Sequence, residues 1–238
     1  MTLGRAASAE GIGTALLLVI VVGSGIMGER LARGNSAVAL LANAIATGAG
    51  LYTLILILGP ISGAHFNPIV SAVSLWEGSL TRNQGAVYIL AQFAGAFTGV
   101  AAAHTMFGLP MVQISARVRP TFGEGLGEVI ATFGLILVIS LTLRFKAEAI
   151  PGAVAAFITS AYWFTSSTSF ANPAVTFARA MTDTFTGIAP RSVPLFVVGQ
   201  LLGGAAAALF ARWLVGQELT TRLIQPVNCS RDITVKGT

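Results

Sequence analysis

Residues 62–70 read SGAHFNPIV, and a second stretch, residues 169–179, reads SFANPAVTFAR. Each stretch has an asparagine directly before a proline, at Asn67 and at Asn172, inside a long uncharged segment. Asparagine is a favoured N-cap and proline a favoured first helical residue, so each pair predicts the start of a helix. Because unpaired backbone groups are costly in lipid, we expect both helix starts to lie inside protein at membrane depth.

The composition is that of a polytopic membrane protein. Hydrophobic residues make up 54% of the 238 residues and charged residues 10%, and the mean hydropathy is +0.79. The first apolar run has no cleavage site after it, so it is predicted to be a retained span. The net charge of +5 is scattered and forms no basic stripe of the kind that binds nucleic acid.

The sequence has few cysteine and histidine side chains that could bind a metal. The chain has one cysteine, Cys229, and two histidines, His65 and His104. These counts exclude a disulfide framework and a thiolate metal cluster, and the sequence implies no cofactor.

Six segments are long and apolar enough to cross a bilayer, since a spanning helix needs about 20 residues. The two Asn-Pro segments are left over, and the uncharged sequence around each is too long for one span and too short for two. Each is therefore predicted to be a re-entrant loop followed by a short half-helix. The six predicted spans are Glu10–Met27, Ala37–Leu58, Ala86–Phe107, Gly125–Leu143, Ala149–Trp163 and Val193–Val215.

The two halves of the chain repeat three landmarks in the same order: a membrane glutamate, an Asn-Pro motif and a glutamine followed by small residues. Three spans per repeat put the second repeat upside down relative to the first. The predicted fold class is therefore all-α, a bundle of six transmembrane helices and two half-helices in one domain over residues 1–238. The repeats cover roughly 8–108 and 124–217, before a polar tail at 218–238. Small residues are predicted to let the third and sixth spans pack closely: Gly95, Gly99, Gly203 and Ala207.

These motifs resemble the aquaporin, or major intrinsic protein, family over essentially the whole chain. The resemblance implies a right-handed bundle, a homotetramer with one pore per subunit, and pore motifs at Asn67-Pro68-Ile69 and Asn172-Pro173-Ala174. The first motif departs from the usual Asn-Pro-Ala at Ile69, which we expect to add apolar bulk at the middle of the pore. The second has Val175 where an arginine normally follows.

In this family a ring of four residues outside the paired asparagines sets the narrowest point of the pore. By resemblance the ring consists of Thr47, Ser160, Ser169 and Val175. These side chains would make a wide ring of hydroxyls with one apolar wall and without the usual fixed charge. Thr47, Val175 and the run beginning NPAV also resemble a bacterial branch associated with arsenic resistance.

The resemblance implies a passive channel for small uncharged solutes: water, glycerol-like polyols and undissociated arsenous acid. It also implies that Glu10 and Glu128 support the re-entrant loops through hydrogen bonds, with His65 as a further loop-fixing residue. Arg179 lies four residues after Val175 and is a candidate vestibule charge. Asp183, another four residues on, could instead neutralise it in an exposed pair.

Three other interpretations stay open at the level of sequence. An alternating-access transporter also uses inverted repeats and broken helices, but it would need a coupling-ion site. An intramembrane enzyme would need a nucleophile and base, which no motif supplies. A purely structural membrane protein would leave the hydroxyl ring without a role.

The resemblance further implies an inner-membrane, multi-pass protein with both termini in the cytoplasm. The positive-inside signal for this orientation is weak, because only a small majority of the 14 Lys and Arg residues would then be cytoplasmic. The eight residues on the cytoplasmic side would be Arg5, Arg82, Arg144, Lys146, Arg212, Arg222, Arg231 and Lys236.

Overall fold

The computed structural model describes residues 1–119 and 121–216, which form eight α-helices. The predicted tail, including Cys229, lies outside the described residues. The two short helices begin at the prolines of the two motifs, as predicted: α3 covers Pro68–Trp76 and α7 covers Pro173–Arg179. The long helices are α1 (Leu3–Leu31), α2 (Ser36–Ser62), α4 (Arg82–Met106), α5 (Phe122–Phe145), α6 (Ile150–Phe164) and α8 (Val193–Val215).

Capping side chains explain why several helices extend beyond the predicted spans. Asn35 caps α2, and capping boxes begin α4 at Thr81 and α5 at Thr121. Among the described residues, five helices are long and apolar enough to cross a membrane. The fifth predicted span is α6, whose 15 residues cover only about 22 Å, and a short 3-10 turn at Ala147–Ala149 precedes it.

Corresponding helices of the two halves pack in corresponding pairs: α4 lies against α1, and α8 lies against α5. Gly95 and Gly203 allow the closest approaches. A Cβ added at Gly95 would lie 2.1 Å from the carbonyl oxygen of Gly11, and one at Gly203 would lie 2.3 Å from that of Val129. The small residues of the third and sixth spans therefore let each span approach the first helix of its own half, whereas they were predicted to bring the two spans close to each other.

The outer surface of the bundle is apolar along its length. Large hydrophobic side chains on several helices are exposed, as a protein surface in contact with lipid requires. Examples are Leu41, Ile45, Leu56, Leu90, Ile130, Leu202 and Leu209.

Candidate functional site

The two asparagines of the motifs hold the two re-entrant loops against each other. Asn67 Nδ2 donates a hydrogen bond to the carbonyl oxygen of Ala171 at 2.7 Å. Asn172 Nδ2 donates to the carbonyl oxygen of Phe66, also at 2.7 Å. Each asparagine thus bonds the residue that precedes the other one. Since a side-chain amide has two N–H groups, each asparagine keeps a second donor.

The oxygen of each asparagine caps the half-helix that follows it. Asn67 Oδ1 accepts a hydrogen bond from the backbone N–H of Ile69 at 2.9 Å. Asn172 Oδ1 accepts from Ala174 at 3.0 Å and from Val175 at 3.3 Å. Both amides are therefore fixed in orientation, with oxygen towards the helix and nitrogen towards the opposite loop.

Matched left-handed residues turn the chain just before each asparagine. Ala64 and Phe66 have φ values of 50° and 48°, and Ser169 and Ala171 have φ values of 50° and 49°. These residues lie three positions and one position before Asn67 and Asn172 respectively. Such backbone costs about 1 kcal/mol or more per residue, so the surrounding contacts must hold it in place.

Glu10 supplies those contacts for the first loop. Its Oε1 accepts hydrogen bonds from Ser62 Oγ at 2.6 Å and from the backbone N–H of His65 at 2.9 Å. Its Oε2 accepts from the backbone N–H of Phe66 at 2.7 Å and from Gln92 Nε2 at 2.8 Å. The carboxylate is fully buried and has four donors around it.

Glu128 occupies the corresponding position in the second half. Its two oxygens accept from the backbone N–H groups of Phe170 at 2.9 Å and Ala171 at 2.8 Å. Gln200 Nε2 donates to the same carboxylate at 2.6 Å. Both acids lie behind the loops, in the supporting role that the family resemblance implies.

His65 also makes a local bond. Its Nδ1 lies 3.1 Å from Ser71 Oγ, on the first turn of α3, and its ring packs edge-on against Tyr88. The side chain borders the central cavity as well. A hydrogen-bonding role in fixing the loop is therefore compatible with a place on the cavity wall.

A cavity of about 380 Å³ passes both asparagines. It reaches from Ser79 and Leu80 at one end to Arg179 at the other. Apolar side chains form much of its wall, among them Leu17, Val21, Leu51, Ile55, Leu135, Ile139 and Val154. Polar side chains on this wall come from the two loops, at His65, Asn67, Ser169 and Asn172, and also from the helices, as at Thr47 and Tyr162.

Three of the four predicted ring residues border this cavity. Thr47, Ser169 and Val175 are buried and contribute to its lining. Ser160 does not: it is exposed, and its hydroxyl donates to the carbonyl oxygen of Phe157 within α6 at 2.7 Å. The prediction for Ser160 is therefore corrected.

Tyr162 takes the place on α6 that was expected for Ser160. Its hydroxyl donates to Thr47 Oγ1 on the neighbouring helix α2 at 3.3 Å. The cavity-facing residues of α6 recur every fourth position, at Ile150, Val154, Ile158 and Tyr162. A residue two positions away from this stripe points to the opposite side of the helix. This stripe was the sequence signal that could have identified Tyr162.

Ile69 is likewise corrected, because it does not border the cavity. It is buried in a cluster with Val70, Ile136 and Ala207, and it faces α8. The next residue, Val70, lines the cavity instead. The apolar bulk of Ile69 is therefore used for helix packing and does not narrow the middle of the cavity.

Arg179 is buried, and it does not form the alternative exposed pair with Asp183. The helix α7 ends at Arg179, so Asp183 does not lie one turn farther along the same helix. Asp183 Oδ1 instead accepts from the backbone N–H of Ala116 at 2.8 Å. Arg179 is 2% exposed, borders the cavity and donates through Nε to the carbonyl oxygen of Thr186.

The segment after α4 lies across the loop that follows α7. Backbone bonds join Gln113 to Met181 at 3.1 Å and Ser115 to Ala180 at 3.0 Å. At its end, Arg119 Nη1 donates to the carbonyl oxygen of Ser167 at 3.1 Å. Burial lowers the pKa of the Arg119 guanidinium, and the nearby Glu124 carboxylate opposes this shift.

This combination of a helical bundle, two facing half-helices and a cavity past both asparagines defines a multi-pass membrane channel. A family comparison makes the class specific: the family described as Major intrinsic protein matches residues 1–162. The chain belongs to the major intrinsic protein family, as its two Asn-Pro motifs indicated. It is a channel protein and not an enzyme.

Curated relatives and a solved structure agree with this assignment. Aquaglyceroporin AqpS of Rhizobium meliloti (strain 1021) is 52% identical over 213 residues, covering 90% of this chain and 91% of the relative. Aquaporin-1 of Homo sapiens is 29% identical over 92% of this chain and 86% of its own length. The X-ray structure of the aquaglyceroporin from Plasmodium falciparum has a TM-score of 0.74, covering 93% of this chain and 100% of that one, at 19% identity. That likeness confirms the predicted fold class.

Proposed function

We propose that the protein is a passive channel for water, glycerol-like polyols and undissociated arsenous acid. The observation that carries this proposal is the cavity that passes Asn67 and Asn172 between apolar walls. Each asparagine retains one amide N–H beyond the bond that holds the opposite loop. These two donors can replace the hydrogen bonds that a hydroxylated solute loses when it leaves water.

The wall chemistry favours neutral solutes. Glu10 and Glu128 lie behind the loops, and their oxygens are occupied by backbone and side-chain donors. Neither is available to coordinate a cation. An ion would therefore lose its hydration along a mostly apolar wall, which costs much more than moving a neutral molecule.

The crossed asparagine bonds favour a channel over an alternating-access transporter. A transporter of this kind rocks one repeat against the other around a central site. Here Asn67 and Asn172 tie each loop to the other at that site through two 2.7 Å hydrogen bonds. Rocking would break both bonds in each cycle, whereas a channel keeps them.

The outer ring supports passage of solutes larger than water. Thr47, Tyr162 and Ser169 line the cavity and carry hydroxyls, and Val175 adds a short apolar side chain to the lining. A polyol or arsenous acid carries several hydroxyls on a compact body, which suits such a ring. The relative that is 52% identical is named an aquaglyceroporin, which supports the polyol assignment. The arsenical assignment depends on the resemblance of the NPAV run.

The proposal includes the assembly and orientation that the family resemblance implies. These are a homotetramer in the inner membrane, with one pore per subunit and both termini in the cytoplasm. Exposed apolar side chains on α2, α5 and α8 are available to contact lipid or neighbouring subunits.

Stopped-flow light scattering on proteoliposomes tests the function. Shrinkage in sorbitol measures water flux, and re-swelling in glycerol or arsenous acid measures flux of the larger solutes. We expect fast, non-saturating flux of all three solutes. Asn67→Leu should remove the flux while size-exclusion chromatography still shows a folded oligomer. Saturable, slow flux would indicate a transporter, and unchanged flux in Asn67→Leu would exclude the asparagine donors.

A further inference from the structure

The Arg179 side chain is a buried cation at one end of the cavity. Its guanidinium carbon lies 3.4 Å from the centroid of the Phe170 ring, so the charged group stacks on an aromatic face. Nε donates to the carbonyl oxygen of Thr186. The two terminal nitrogens have no hydrogen-bond partner among residues 1–119 and 121–216.

No carboxylate in the described part of the chain pairs with this cation. Asp183, the nearest acid in the sequence, bonds the backbone of Ala116 instead. Glu128 is occupied by the second loop and by Gln200. A buried cation that no opposite charge pairs with is unfavourable, so Arg179 can bind an anionic or strongly polar group from the cavity.

A second buried polar group borders the same cavity without a partner. Ser169 is 3% exposed, and its Oγ makes no hydrogen bond within the described residues. Its backbone N–H is already used by Ser167 Oγ at 3.2 Å. Ser169 and Arg179 therefore line the same cavity, and each has donor groups that no described residue uses.

Arg119 adds a second positive charge near Phe170. Its guanidinium carbon lies 5.4 Å from the centroid of the ring that Arg179 stacks on. Arg119 donates to the carbonyl oxygen of Ser167 and to Thr168 Oγ1 at 3.3 Å, which holds its charge beside the second loop. Glu124 offsets part of this charge. The local field favours an anion over a neutral ligand.

We propose that Arg179 and Ser169 form an oxyanion-binding site in this mouth of the channel, and that a bound oxyanion obstructs the passage of neutral solutes. A guanidinium binds two oxygens of a phosphate-like or carboxylate group at once, and a hydroxyl can donate to a third. The anion does not continue through the channel, because the wall beyond Val175 is mostly apolar. The obstruction depends on the proposed channel function, whereas binding does not.

Inorganic phosphate is the probe. Glycerol uptake into oocytes that express the channel is measured at pH 7 with external phosphate or with chloride at equal ionic strength. Each variant is normalised to its own phosphate-free uptake. We expect saturable inhibition of the wild type, and about a tenfold or larger rise in the inhibition constant for Arg179→Gln. Arg179→Lys should be intermediate, because lysine keeps the charge but loses the two-pronged geometry.

Two further variants keep the test decisive if Arg179→Gln folds poorly. Ser169→Ala removes a hydroxyl that has no hydrogen-bond partner among the described residues, so it should leave folding intact, and it should weaken inhibition severalfold. Arg191→Gln removes an exposed arginine that does not border the cavity, and it should leave inhibition unchanged. Equal inhibition of the wild type and Ser169→Ala, or of the wild type and Arg179→Gln, would overturn the site.

Isothermal titration of phosphate into purified protein separates this inference from the proposed function. Phosphate binding by the wild type that Ser169→Ala weakens supports the site, even if no glycerol flux is found. In that case the proposed function fails and the binding site remains. Glycerol flux without phosphate binding overturns the inference and leaves the proposed function intact. Binding without inhibition of flux overturns the obstruction.

Discussion

Ile69 fills the space that Gly204 leaves open on α8. A Cβ added at Gly204 would lie 2.5 Å from Cγ2 of Ile69, which is closer than side chains pack. The related contact, between α7 of the second half and α4 of the first, has a different pair at the corresponding positions: Ala174 follows Asn172 by two residues, and Ala96 follows Gln92 by four. A large residue facing glycine at the contact of α3 with α8 thus corresponds to two alanines at the contact of α7 with α4.

This relationship predicts the outcome of a double-mutant cycle. Gly204→Ala should destabilise the protein because the new methyl group overlaps Ile69. Ile69→Ala should also destabilise it, by about 2–4 kcal/mol, because it leaves a cavity in the Ile136 cluster. The double variant should be more stable than the sum of the single effects predicts, since it reproduces the alanine pair. Melting temperatures in detergent measure the stability of the three variants. Additive effects on stability would contradict a direct contact between Ile69 and Gly204.

The same geometry predicts a small effect of Ile69 on conduction. Because Ile69 faces α8 and not the cavity, glycerol flux per folded channel should be nearly unchanged in Ile69→Ala. Val70 lines the cavity and is the matched comparison, so Val70→Phe should reduce glycerol flux. A large rise in glycerol flux in Ile69→Ala would show that Ile69 lines the pore and narrows it.

The buried glutamates should be intolerant of an isosteric change. Glu10→Gln replaces one acceptor oxygen with an NH₂ group that faces existing donors, so two hydrogen bonds to a charged group are lost. At about 1.5–3 kcal/mol each, this loss approaches the whole stability of many proteins. We expect a low yield of folded oligomer for Glu10→Gln and for Glu128→Gln.

Glu29→Gln is the control for the glutamates. Glu29 pairs with Arg117 Nη2 at 2.9 Å, but the two side chains are 48% and 41% exposed. Such surface pairs contribute about 0–1 kcal/mol, so the yield of Glu29→Gln should match that of the wild type. Similar yields for Glu10→Gln and Glu29→Gln would show that the loop does not depend on the buried carboxylate.

The fold could be predicted from the sequence because its signals are local. Apolar length defines the long helices, and Asn-Pro defines the start of α3 and α7. Thr47 and Val175 were placed on the cavity wall by resemblance, and Val175 has a fixed distance from Asn172 within one helix. The helix ends were less well predicted, because caps such as Thr81 and Asn35 extend the helices past the apolar segments.

The predictions that were wrong concern residues whose positions are determined by tertiary packing. Which face of α6 borders the cavity is determined by its neighbours, so counting back from Asn172 across the intervening loop gave Ser160. The pairing of Arg179 with Asp183 assumed a helix that continues past residue 179, and α7 ends there. The place of Ile69 depends on Gly204, which is distant in sequence and became relevant only when α3 and α8 were seen to pack.

Tyr162 should control the width of the ring where Ser160 does not. Tyr162→Ser removes a phenol ring from the cavity wall and breaks its bond to Thr47. We expect the flux of glycerol, relative to that of water, to rise. Ser160→Ala removes a hydroxyl whose one hydrogen bond within residues 1–119 and 121–216 is to its own helix, so both fluxes should stay at wild-type levels. If Ser160→Ala changed the ratio of glycerol to water flux as much as Tyr162→Ser, Ser160 would be a ring residue after all.

Val175→Arg tests the filter as a whole. The new side chain would lie one turn from Arg179 on the same face of α7, so two guanidinium groups would repel each other across a narrow space. It would also fill the region between Thr47 and Ser169. We expect glycerol and arsenous acid flux to fall by about tenfold or more, and water flux to fall much less, because exclusion by size affects the larger solute first.

Val175→Met separates volume from charge in this experiment. Methionine extends about as far into the cavity as the first part of an arginine side chain but brings no charge, so it should reduce glycerol flux to a value between those of the wild type and Val175→Arg. Stopped-flow measurements of water and glycerol on the same proteoliposomes give the ratio directly. If both variants lowered the two fluxes in equal proportion, size selection at Val175 would be wrong, and the narrowest point would lie elsewhere along the cavity.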